Sequence, residues 1–179
     1  MMRVTDKEYW MDPYLKSNLD TLLYNIRDDW DFMILISGDG LVRVGKSELG
    51  QQIAYYVAYK LGTPFSVDNI CFSGDELRGQ AHKLPKNSVL IYDEARGELD
   101  SKKLMEKITK GLLDFFAECG MYNHLLILIM PDFFEFPKSI AINRSDALIN
   151  VFRKKKEKTL ADGSLINEYV RGGFQFFDR

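Results

Sequence analysis

An unbroken apolar run, Phe32-Met-Ile-Leu-Ile36, gives way at Ser37 to Gly40-x4-Gly45-Lys46-Ser47. Five apolar residues bounded by turn formers predict a strand buried on both faces. Beyond the glycines, Leu49, Ile53, Tyr56 and Val57 recur at helical spacing. A buried strand, a glycine-bounded loop and an amphipathic helix thus follow one another between Asp31 and Ala58. A strand covered on both faces belongs to a parallel sheet with helices on either side.

The chemistry of the loop follows from its residue types. Gly40 and Gly45 let backbone approach a phosphate chain closely. Between them, the amides of Leu41, Val42, Arg43 and Val44 are placed to curl into an anion-binding nest, backed by the positive end of the following helix. Lys46 would reach the β- and γ-phosphates, and Ser47 would set its hydroxyl on Mg²⁺. The binding run extends to Glu48. The string alone would also fit a turn that binds nothing. The strand before it and the helix after it select the P-loop reading.

A second apolar strand, Val89-Leu-Ile-Tyr92, ends in adjacent carboxylates, Asp93 and Glu94. Carboxylates at the carboxyl edge of a buried strand are costly unless they serve a cation or a reaction. Asp93 would hold Mg²⁺ through its water shell. Glu94 would orient and polarise an attacking water. Taken alone, the pair also fits a solvated strand end.

The rest of the chain fits one α/β domain of 179 residues, 46% of them hydrophobic. Residues 1–30 read as an N-terminal helical segment, 31–152 as a nucleotide-binding core and 153–179 as a basic β-hairpin. Asp12-Pro13 starts a helix whose apolar face is Leu15, Leu19, Leu22, Leu23, Ile26 and Trp30. Val67–Phe72 reads as a short strand, and Ser73 caps a helix over about 75–83. A long helix is expected from Asp100 or Ser101 to about Glu118, followed by an apolar strand at Leu125–Met130 that Pro131-Asp132 ends. Ala147–Phe152 is the last core strand, and Asp162-Gly163 signals a hairpin turn before Ile166–Phe177. Net charge is −2, so any nucleic-acid contact must come from a local patch. Lys103, Lys107 and Lys110 share a helix face, and Arg153–Lys158 is a basic run. Either would serve DNA phosphates or stand as solvated charge. Cys71 and Cys119 lack metal-ligand spacing and read as reduced, packed thiols. No apolar run approaches the roughly 18 to 20 residues of a membrane span, and no signal peptide is visible, so a cytoplasmic protein is expected.

Gly40–Ser47 resembles a Walker A motif. Val89–Glu94 resembles a Walker B motif with the catalytic glutamate of the additional-strand ATPases, the RecA-like, FtsK/HerA-like and AAA+ division. That resemblance implies a three-layer P-loop fold in which one strand, here Leu125–Met130, lies between the two Walker strands. More narrowly, Ile129-Met-Pro-Asp-Phe-Phe, Ile142-Asn-Arg-Ser-Asp-Ala-Leu-Ile-Asn-Val and Arg171-Gly-Gly-Phe-Gln-Phe-Phe are similar to phage proteins of the Zot-like (zonula occludens toxin-like) group. The resemblance implies an oligomeric ATPase acting on DNA in translocation or packaging, in a host cytoplasm if viral. It also implies an arginine that completes charge stabilisation, Arg144 from a neighbouring subunit or Arg43 in cis, and a polar sensor for which only Asp132 is placed. A nucleotide-gated assembly or loader protein is the alternative. A small-molecule kinase fits less well, because no arginine-rich lid follows the sensor strand and Glu94 would favour water.

Overall fold

The chain's computed structural model describes residues 2–4, 7–26, 32–38, 43–93, 106, 109–116, 120–136, 138–160 and 164–178. Gly40, Leu41, Val42, Glu94, Lys103, Lys107, Cys119 and Trp30 lie outside the described residues. Two short strands, β1 (Met2–Val4) and β2 (Lys7–Tyr9), pair antiparallel ahead of the first helix and have no apolar signature in the sequence. Helix α1 (Pro13–Ile26) begins where Asp-Pro predicts: Asp12 Oδ1 accepts the N–H groups of Tyr14 and Leu15.

The next strand, β3 (Phe32–Gly38), is buried at every residue, and α2 (Lys46–Leu61) follows the loop after it. The chain continues through β4 (Ile70–Cys71), α3 (Gly74–Lys83) and β5 (Val89–Asp93). Residues 109–116 are helical and form α4. Then come β6 (Leu125–Asp132), α5 (Lys138–Asn143), β7 (Ala147–Thr159) and β8 (Leu165–Asp178). Six of these strands make one sheet in the order β4-β5-β6-β3-β7-β8. All neighbours are parallel except β8, which runs antiparallel to β7. β6 therefore lies between β3 and β5, pairing Ile34 with Ile127 on one side and Ile127 with Ile91 on the other.

Alternation along the strands divides the core into two layers. Ile34, Ile36, Ile91, Ile127, Ile129 and Ile149 pack with α1 and α2. Met33, Leu35, Leu90, Leu126, Leu128 and Met130 pack with α3, α4 and α5. Helices thus cover both faces, which is why the central strands read as continuous apolar runs rather than alternating ones.

Three boundaries differ from the sequence expectations. Val67–Asn69 is a 3-10 turn, not strand, because Ser66 and Asn69 close a capping box around it and the buried Asn69 donates to the Val89 carbonyl. β6 runs through Pro131 to Asp132. The β5 ladder already ends at Ile129, and the β3 ladder skips a step between Ile36 and Gly38, so the missing proline N–H interrupts no bond. The 152/153 boundary falls inside β7, which continues as strand through the basic run.

A polar pin joins α1 to α2. Tyr56, wholly buried, donates its hydroxyl to Asp20, which also binds Lys16 Nζ at 2.6 Å. Lys60 Nζ stands 3.8 Å from Asp20, and both lysines lie over the Tyr56 ring. Burial opposes the charge on Asp20. The hydrogen bonds from Lys16 and Tyr56, with the charges of Lys16 and Lys60, outweigh it and hold the carboxyl below its ordinary value. A depressed folded pKa stabilises above the unfolded pKa, and the contribution is lost as pH falls through the folded value. Tyr56→Phe is accordingly expected to cost about 1–2 kcal/mol at pH 7, the lower part of the range for a bond to a charged group because the carboxylate is partly solvated. Urea unfolding of both proteins, repeated below the folded pKa of Asp20, checks this: the gap should narrow in acid. An equal gap at both pH values would remove the carboxylate from the account.

Candidate phosphate-binding site

The site is built where β3 ends. Val44, 1% exposed, inserts into the core layer beneath α1 and α2 and anchors the end of the loop. Arg43 before it has φ 60° and Gly45 after it φ 106°, both in the left-handed region. Only glycine takes the second of these without strain. Gly45 is the cap residue of α2, whose first helical bond runs from Leu49 N–H to the Gly45 carbonyl. A glycine cap has no side-chain acceptor to offer the first-turn amides. That is the arrangement an anion at a helix N-terminus requires.

Lys46 turns back over the end of β3. A Cβ built on Gly38 would stand 3.3 Å from Lys46 Nζ and 3.0 Å from the Val151 carbonyl oxygen. Any side chain at 38 would therefore push the ammonium away, a requirement the bare loop pattern does not encode. Ser47, Glu48 and Arg43 are exposed or half-exposed, and Lys46 lies in the first turn of α2 between them.

Across the same sheet edge, Asp93 is the last residue of β5 and pairs with Ile129, and Asp132 pairs with Gly38. Two strand spacings, roughly 10 Å, separate the ends of β3 and β5. That is a span a phosphate chain with a metal ion can bridge. A hydroxyl at Ser47 and a carboxylate at Asp93 are hard oxygen donors suited to Mg²⁺. Among the described residues, no group of three or more His, Cys, Asp and Glu side chains is arranged to hold a metal by itself. A nucleotide-borne Mg²⁺, which takes most of its ligands from phosphate and water, does not need one.

Not every residue singled out in the sequence reaches this edge. Asp132 Oδ1 accepts the Phe134 N–H and caps the 3-10 turn Phe133–Glu135. One oxygen of the sensor candidate is thereby engaged. Arg144 sits at the opposite edge. It follows α5, two residues before Asp146, whose backbone and carboxylate bond Met33 at the start of β3. About five strand residues, roughly 16 Å, lie between it and the loop, so it does not reach phosphates bound on its own chain. Its guanidinium packs 5.2 Å from the centre of the Phe116 ring. Of the two arginines, Arg43 alone stands at the β3–α2 loop. Lys110 is exposed on α4, and Lys154–Lys158 are exposed on distal β7.

Other residues of the site carry no signal that local sequence reading can use. A cleft of about 350 Å³ opens beside Gly45, lined among others by Trp10, Asp12, Glu48, Gln52, Arg171 and Gly172. Trp10 is 67% exposed on its rim. A solvent-facing tryptophan next to a helix start is the one available hint. Nothing local in the sequence ties it to Arg171. Ser37, also unforeseen, is fully buried and donates to Asn150 Oδ1 on β7 at 3.3 Å, closing the strand ends beneath the loop.

Among the described residues no helix is long and apolar enough to cross a membrane. Comparison of the chain with protein-family profiles and with curated proteins finds no match.

Proposed function

We propose that the chain binds ATP with Mg²⁺ at the β3–α2 loop and hydrolyses it to drive work on DNA. The observation that carries this reading is the convergence at one sheet edge of three things separated in sequence. They are the glycine-capped α2 with Lys46 folded over Gly38, the strand-end Asp93, and β6 inserted between the strands that bear them. In this reading the loop amides and Lys46 hold the β- and γ-phosphates, and Ser47 and Asp93 hold the metal. Bound Mg²⁺ supplies charge neutralisation on those phosphates. Glu94, the residue after Asp93, accepts a proton from the attacking water. The cleft at Trp10, Gln52 and Arg171 lies beside the loop with room for the nucleoside.

The inserted β6 supports the relationship to the additional-strand division and its FtsK/HerA- and Zot-like members. Oligomeric assembly, DNA as the partner and a host cytoplasm belong to the same proposal. Arg144, out of reach in cis, serves a neighbouring subunit if it serves catalysis at all.

Steady-state ATP hydrolysis of the purified chain, with and without single- or double-stranded DNA, tests the reading. Mg²⁺-dependent turnover stimulated by DNA, and absent from Lys46→Ala, is the expected result. Slow turnover indifferent to DNA would replace the motor with a nucleotide-gated assembly protein. Phosphate transfer to an added nucleotide in place of hydrolysis would make it a kinase.

A further inference from the structure

Only Ala147–Val151 of β7 pair with β3. From Phe152 onward β7 pairs with β8 alone, so the two strands leave the sheet as a ribbon. Residues 153–159 carry it about 25 Å outward at strand rise. Both strands are exposed there, over 154–160 and 164–172.

The root of the ribbon is fixed by a bulge. Phe152 pairs with Gly173 and Lys154 with Val170, so Arg153 faces two residues, Arg171 and Gly172. Gly172 takes φ 81°, the left-handed conformation that such bulges place on glycine. The Phe152 ring fills the space above Gly173, where a Cβ would meet it at 2.8 Å. The Arg153 guanidinium lies 5.3 Å from the Tyr169 ring centre. The extra twist of a bulge aims the distal ribbon away from the sheet.

Register then separates two faces. Lys154, Lys156 and Lys158 stand opposite Val170, Glu168 and Ile166 on one face. Lys155, Glu157 and Thr159 stand opposite Tyr169, Asn167 and Leu165 on the other. The first face holds three cations against one carboxylate, and the second holds Lys155 and, over Tyr169, Arg153 against Glu157. From Arg153 to Arg171 the sequence carries six cations and three carboxylates, in a chain whose net charge is −2. Positive charge is thus concentrated on an arm that projects from an otherwise acidic protein.

We propose that this arm grips duplex DNA, laying the Lys154, Lys156 and Lys158 face along the phosphate backbone. A two-stranded ribbon has the width that the major groove, about 12 Å across, admits. Alternate residues recur every ~6.8 Å, close to two axial phosphate steps of ~3.4 Å. Lysines on flexible stems neutralise phosphates as point charges and read no base pattern, so the grip is independent of sequence. The proposal takes its ligand from the DNA-directed reading above and does not depend on hydrolysis.

The test is fluorescence anisotropy of the full chain with a labelled duplex of about 20 base pairs, between about 50 and 200 mM salt. The parent protein should bind with an affinity that falls steeply with salt. The triple variant Lys154→Gln/Lys156→Gln/Lys158→Gln should flatten the log–log slope by about 2 to 3, near 0.9 for each phosphate no longer neutralised. Glu168→Gln, which removes the only carboxylate of that face, should tighten binding. Lys155→Gln, on the opposite face, should change the slope by less than about 1. Binding of a fluorescent ATP analogue is measured on the same samples. Abolished DNA binding with nucleotide binding intact in the triple variant supports the arm. DNA binding by the arm with no nucleotide binding in the parent would fail the ATP reading and leave the arm standing. A parent slope in the triple variant, no effect of Glu168→Gln, or no duplex binding by the parent at the lowest salt would each overturn the proposal. Lysines that merely guard an exposed ribbon against edge pairing would give the first of these outcomes together with aggregation.

Discussion

If the chain hydrolyses ATP as proposed, Glu94→Gln is expected to lower turnover about 10²- to 10⁴-fold while nucleotide affinity stays near that of the parent protein. The isosteric amide keeps size and polarity but cannot accept a proton from water. In the proposed reading Glu94 touches only the nucleophile, so its loss appears in the chemical step and not in binding. Lys46→Ala has the opposite pattern. Its ammonium lies against the end of β3 at Gly38, where the phosphate chain would pass. Removing it takes charge from ground state and transition state alike, so affinity and turnover fall together. Equilibrium binding of a fluorescent ATP analogue, beside steady-state hydrolysis, separates the two. Parent-level turnover in Glu94→Gln would remove the glutamate from catalysis. Weak binding in that variant would mean that Glu94 shapes the site rather than the reaction.

The strands of the sheet are legible in the sequence for a specific reason. Phe32–Ile36, Val89–Tyr92 and Leu125–Met130 are covered on both faces, and double burial leaves an apolar run that no polar residue interrupts. At the start of α2, Gly45 is legible because its backbone angle demands glycine. The start of β4 is not, because the capping box of Ser66 and Asn69 is a local side-chain device that outcompetes the extended state. Distal β7 reads as a charge run because a ribbon open on both faces needs no apolar alternation to remain strand. Its partner β8 supplies the hydrogen bonds. The cleft is out of reach for another reason. Its walls come from Trp10, the first turns of α2 and the stretch from Arg171 to Phe174, which only the sheet order brings together. Arg144 shows how the folded path sets a position that sequence order does not. It follows β6 in sequence, but α5 carries the chain back to the start of β7 before Arg144 is reached, at the end of the sheet away from the β3–α2 loop.

Gly50→Leu should unfold the protein earlier and weaken nucleotide binding at the same time. Gly50 is buried on the face of α2 that meets the sheet. A Cβ there would lie 2.7 Å from Ile129 Cδ1 and 3.5 Å from Ile36 Cδ1. The helix therefore rides closer to β6 and β3 than a bulky side chain at 50 allows. A single methyl meets only the mobile tip of Ile129, and alanine gains up to about 1 kcal/mol in helix propensity, so Gly50→Ala should be near neutral. Leucine must lift the helix or force both isoleucines off their rotamers, at about 1–3 kcal/mol. For a domain of this size that lowers Tm by roughly 2–12 °C. The displaced end of α2 carries Gly45, Lys46 and Ser47, so the lift moves the first-turn amides and the ammonium proposed to hold phosphate. Ile129→Ala in the same protein opens space beneath position 50. It should return part of both losses, giving a coupling between the two substitutions of about 0.5–3 kcal/mol. Thermal unfolding and fluorescent-nucleotide titration of the four proteins in this cycle test the argument. Additive losses would show that α2 seats on the sheet without direct contact between Gly50 and Ile129. A stability loss with full nucleotide affinity would show that the loop holds its shape independently of the helix behind it.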